Sequence, residues 1–75
     1  MTNQPPITDV SIGSDDIRLG QFVKFAGLLD SGGEVKEAII DGFILVNDEV
    51  DRRRGRQLRL GDVVTFDGRR VRVIR

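Results

Sequence analysis

The chain has 75 residues, four phenylalanines, no cysteine, histidine, tyrosine or tryptophan, and 12 basic groups that cancel 12 acidic ones. That size allows one domain near the lower limit for folding without a staple, with no disulfide or Cys/His zinc site to help and the commonest acid–base and nucleophilic groups missing, so neither an enzyme nor a cofactor is expected. No stretch approaches the roughly 20 apolar residues of a membrane span and Met1 to Pro6 lacks signal-peptide character, so a soluble, cytoplasmic protein without a membrane partner is expected.

Residues 1 to 8 read as a disordered tail, polar and proline-containing at their start, with 9 to 75 as a single domain. Val10 and Ile12 alternate with polar neighbours and predict a short strand, followed by a turn at Ser14-Asp15-Asp16. The first helix is predicted over Leu19 to Ala26, because Leu19, Phe22, Val23 and Ala26 fall at i, i+3, i+4 and i+7. Gly27 then stands where a left-handed stop is wanted, and Leu28 can supply its apolar contact. Ser31 starts a second helix in capping-box spacing with Glu34, and Val35, Ala38 and Ile39 form its apolar face. Asp41-Gly42-Phe43 repeats the glycine stop of the first helix.

Strands follow. Phe43 to Val46 runs into a tight turn at Asn47-Asp48, and Val50 continues beyond it. Val63 to Phe66, Asp67-Gly68 and Arg69 to Ile74 form the strongest hairpin signal, with Val71 and Val73 alternating against Arg70 and Arg72. The expected fold class is α+β: a helix hairpin packed on a small, mostly antiparallel β-sheet.

The zero net charge hides a split. Residues 1–51 hold three basic and ten acidic groups, a net of −7, whereas residues 52–75 hold nine arginines against two aspartates, a net of +7. The two halves can neutralise each other as a dipole, or the basic half can face a partner. The segment Arg52 to Arg59 bears on that choice, with five arginines in eight residues and Gly55 interrupting any regular strand. Like charges this dense repel, and arginine offers a planar fork for phosphate oxygens and a face for unpaired bases. Phe22 and Phe66 read as core, leaving Phe25 and Phe43 unassigned, so recognition would lean on phosphate and shape. Other candidates are weaker. Asp15 and Asp16 diverge on a turn, the spacing of Asp48, Glu49 and Asp51 fits no calcium loop, and Asp30 and Glu34 oppose an anion at Ser31-Gly32-Gly33.

Four blocks in order carry a resemblance: Leu19 to Leu28, Ser31 to Ile39, Val46 to Val50, and Leu60 to Val64. Together they resemble the S-four-type RNA-binding domain, or αL motif, of the fourth small-subunit ribosomal protein, in its small stand-alone bacterial form. The resemblance implies a non-catalytic module that binds structured RNA, ribosomal or tRNA-like, as a monomer associated with the ribosome or another ribonucleoprotein. By position it implies RNA contacts from Lys24, Lys36, Arg52, Arg53, Arg54, Arg56 and Arg59, with Arg18 flanking the same groove. The sequence departs from the family pattern at Gly32 and Gly33, where arginines are common, and at Asp48, where glycine is usual. A protein-interaction module using the charge-split surface is the alternative, and duplex DNA binding through the same arginines is a third reading.

Overall fold

The computed structural model describes residues 6–75. Strand β1 (Ile7–Ser11) opens the chain, and β2 (Asp16–Arg18) leads directly into helix α1 (Leu19–Phe25). Helix α2 (Gly32–Ile40) follows, then β3 (Leu45–Val46) and β4 (Glu49–Val50), then β5 (Gln57–Arg59), β6 (Val63–Phe66) and β7 (Arg69–Ile74). Five strands form one sheet in the order β1-β7-β6-β3-β4, and β2 pairs with β5 as a separate antiparallel ribbon. The chain has the expected α+β class, and every pairing is antiparallel except β1 on β7.

The core explains the element choice. Leu19, Phe22 and Val23 of α1 and Val35, Ala38 and Ile39 of α2 are buried with Ile44, Val46, Leu58, Val64, Val71 and Val73. Helical spacing on one side and period-two alternation on the other therefore meet in a single apolar layer. Both helices end in the same way. Gly27 (φ 75°) and Gly42 (φ 82°) take the left-handed position. The amides of Leu28 and Phe43 then donate back to Val23 and Ala38, and those of Gly27 and Gly42 to Lys24 and Ile39. Each helix end also receives an arginine from later in the chain: Arg69 Nη2 donates to the Gly27 and Leu28 carbonyls, and Arg52 Nε to that of Ile40.

Four local expectations change. Of the expected tail, Met1 to Pro5 lie outside the described residues, while Ile7 and Thr8 belong to β1, in register with Arg70 and Val71. Asp16 leaves its turn for β2, since it lies opposite Arg59. The strand predicted from Phe43 shortens to Leu45–Val46, because the Phe43 amide is spent on closing α2. The Ser31 hydroxyl accepts from the Glu34 amide as expected, but Glu34 Oε1 accepts from that same hydroxyl instead of reaching the Ser31 amide. Both hairpin turns hold: Asn47 and Asp48 (φ 52° and 70°) and Asp67 and Gly68 (φ 50° and 77°) are left-handed pairs whose twist matches the flanking strands.

Candidate nucleic-acid interface

The arginine segment is positioned by hydrogen bonds that no periodicity announces. Ile17 and Leu58 face each other in the β2–β5 ribbon, and Leu58 is completely buried. Past Arg18 the ladder continues into the helix: the Leu19 amide donates to the Arg56 carbonyl (2.8 Å) and the Gly20 amide to that of Arg54 (3.0 Å). Two amides at the start of α1, which have no partner within the helix, are thus satisfied by the loop, and the loop is thereby seated on the helix.

Asp51 holds the loop from inside. It is 5% exposed, and its Oδ1 accepts from the Arg53 amide (2.9 Å) and Arg53 Nε (3.1 Å). Its Oδ2 accepts from Arg53 Nη2 (3.0 Å) and Arg56 Nη1 (2.8 Å). The Arg53 hydrogen bond, helped by that of Arg56, outweighs burial and holds the Asp51 carboxyl far below the usual carboxylate range. The same contact raises the pKa of Arg53. A carboxylate so engaged has little left for a cation, which takes Asp51 out of any cation site with Asp48 and Glu49.

The segment therefore divides. Arg53 and Arg56 are wired to Asp51. Arg52 lies across the end of α2, its guanidinium close to Gly42, where an added Cβ would come within 2.7 Å of Nη2. Arg54 crosses α1 in the same manner, its Cγ 2.7 Å from where a Cβ on Gly20 would stand. Arg59 lies on the β2–β5 ribbon opposite Asp16.

A hollow of about 470 Å³ opens between α1, α2 and this loop, its walls including Arg18, Gln21, Lys24, Gly32, Val35 and Arg54. No acidic residue lines it, and none of Arg18, Lys24 or Arg54 pairs with a carboxylate among the described residues. Unpaired cations in a concave wall concentrate positive potential and attract phosphate. Of the seven residues proposed from the sequence, this groove gathers Lys24 and Arg54. Lys36 is exposed on α2 outside the lining, and Arg52, Arg53, Arg56 and Arg59 point to other tasks or faces. Nor do the arginines fold back on Asp30, Glu34 or Glu37; the acid that pairs with them is Asp51.

Sequence reasoning missed Asp51, Gly20 and Gln21. Asp51 had a readable signal, an aspartate two residues before an amide it can cap. Gly20 had none, because only a tertiary approach reveals why a Cβ is unwelcome there.

The geometry coincides with a family pattern. A family model described as the S4 domain matches residues 10–74. The chain belongs to the S4 domain family. It is 49% identical over 59 residues to the probable ribosome maturation protein RlbA of Bacillus subtilis (strain 168), covering 79% of this chain and 83% of that one. Its fold is similar to the solution structure of YbcJ from E. coli, described as an αL motif involved in RNA-binding. The TM-score is 0.70 at 26% identity, over 100% of this chain and 96% of the other. The S4 match spans both helices and the arginine loop, so the residues that line the groove lie within the matched span. Among the described residues no helix is long and apolar enough to cross a membrane.

Proposed function

We infer that this S4 domain is a non-catalytic module that binds structured RNA in the groove formed by Arg18, Lys24 and Arg54. The observation that carries this is the acid-free concave wall, in which these three cations have no carboxylate partner among the described residues. Arginine forks and an ammonium so placed suit successive backbone phosphates. Arg52 and Arg59 extend the basic surface beyond it, whereas Arg53 and Arg56 shape the loop. The likeness to RlbA, a probable ribosome maturation protein, supports ribosome maturation as the setting, and on this reading the target is a ribosomal RNA met in the cytoplasm.

Equilibrium binding to a structured ribosomal RNA fragment across a salt series tests this reading. Three groove contacts at about 0.7–0.9 released counterions each give a log–log slope of about −2 to −3. An affinity indifferent to salt, or tighter binding to a DNA duplex of equal length, overturns it.

The protein-interaction reading has its own observation: Glu34, Glu37 and Asp41 rim a shallow hollow with Leu29, Phe43 and Phe66 on the other side of α2. It suits a basic, apolar-anchored protein segment, and RNA bound in the groove would not compete with such a partner.

A further inference from the structure

Phe25 closes α1 with its ring turned outward, 59% exposed, while Phe22 and Val23 supply the buried face of the same turn. Packing therefore gives no reason for an aromatic residue here. Gln21 and Lys24 lie four and one residues before it and share a hollow of about 450 Å³ with its ring. A second hollow, of about 580 Å³, lies beside it, its wall including Ser14, Asp16, Arg18, Gln21, Phe25 and Gln57. Both volumes fall in the ~300–1,000 Å³ range of small-ligand clefts.

The second hollow differs in chemistry from the groove. Besides Arg18, its polar wall carries two amides, a hydroxyl and a carboxylate, with the 2.8 Å bond from Gln57 Nε2 to Asp16 Oδ2 and the 2.9 Å bond from Ser14 Oγ to the Asp16 carbonyl fixing part of it. Asp16 repels phosphate, yet with the amides it offers the mixed acceptors and donors that a base edge requires. Arg18 and Gln21 belong to the walls of both spaces. A nucleotide whose phosphate sits on Arg18 in the groove can therefore lay its base on the far side of the same wall.

We propose that Phe25 is a stacking platform for one unpaired nucleobase, held at its edge by Gln21, Gln57 and Asp16, next to the phosphate groove. This rests on the RNA reading and sharpens it: the preferred RNA carries a loop or bulge at the α1 face instead of being paired throughout. An exposed aromatic ring beside a cationic track is how single-stranded segments are gripped irrespective of sequence.

The test uses the full chain and two RNAs, a hairpin with 2-aminopurine in its unpaired loop and a fully paired duplex of equal length. The wild-type protein binds the hairpin more tightly and changes the 2-aminopurine fluorescence on binding. Phe25→Ala loses about tenfold or more in hairpin affinity and leaves duplex affinity unchanged. Phe25→Leu, which keeps apolar bulk without the ring, behaves like the alanine variant, and Phe25→Trp restores tight binding. Hairpin binding unaffected by Phe25→Ala overturns the proposal while leaving the groove intact, and so does rescue by leucine, which marks a protein-docking residue instead. Failure of the wild-type chain to bind either RNA overturns the RNA reading itself and this proposal with it.

Discussion

Arg53 and Arg54 are neighbours of identical chemistry with opposite employment. Arg53 turns inward to a carboxylate that is 5% exposed and contributes to the shape of the loop. Arg54 lies across Gly20 and brings an unpaired cation to the groove. The difference comes from the backbone: the Arg53 amide is capped by Asp51, while the Arg54 carbonyl is held by the Gly20 amide at the start of α1. Charge density alone does not mark an interface. Whether the fold has already given a cation an anion separates a structural arginine from one still available to a partner.

The strongest way to break the comparison is Asp51→Ala, which removes the shared anchor of Arg53 and Arg56. Several hydrogen bonds from charged donors are lost at once, so unfolding free energy falls by about 2 kcal/mol and the melting temperature by about 10 °C. RNA affinity falls too, because Arg54 is no longer presented on a fixed loop. The Asp51 pKa is depressed in the folded state, so its stabilisation is complete above about pH 5 and is lost progressively as pH falls from about 4 toward the much lower folded-state pKa. Thermal melts should therefore separate wild type from Asp51→Ala at neutral pH and bring them together in acid. A constant gap down to the lowest pH would show that the carboxylate's charge is irrelevant to the loop.

The next effect separates the two arginines. Arg54→Ala lowers RNA affinity by about tenfold, reduces the salt slope by about 0.7–0.9 and leaves the melting temperature nearly unchanged. Arg53→Ala does the reverse: it lowers the melting temperature and leaves the salt slope as it was. Paired calorimetry and binding titrations on the two variants read both quantities. Equal losses of affinity would mean that the whole segment acts as an undifferentiated positive patch.

Much of the scaffold was legible in the sequence. The helices announced themselves by 3.6-residue spacing around Phe22 and Ile39, and their stops by Gly27 and Gly42, because local geometry alone demands these. The β6–β7 hairpin was equally clear, since Asp67-Gly68 suits only a narrow choice of turns. The β2–β5 ribbon was not, for Ile17 and Leu58 are single apolar residues within three-residue strands, too short to show a period. The parallel pairing of β1 with β7 was also invisible, because nothing local joins strands from opposite ends of the chain. In the candidate interface, composition pointed to the segment that supplies one wall of the groove but could not divide it. Asp51 beside a run of arginines looks the same whether it neutralises them in solvent or is buried beneath them.

Gly20→Ala is the smallest and most discriminating change. Within a helix the substitution stabilises by about 1 kcal/mol, since alanine loses less backbone freedom than glycine. Against this, the new methyl meets Arg54 Cγ at 2.7 Å, and the Arg54 carbonyl oxygen lies at 3.4 Å. That Cγ is close to the backbone, so the loop itself has to move, and overpacking of this kind costs about 1–3 kcal/mol. The two terms oppose each other and the melting temperature moves by only a few degrees, while the guanidinium shifts within the groove. RNA affinity then falls by about threefold, less than for Arg54→Ala because the charge is retained. Combining Gly20→Ala with Arg54→Ala decides the interpretation. If the glycine acts by seating Arg54, the double variant binds no more weakly than Arg54→Ala alone; if the two losses add, Gly20 reaches the RNA by another route.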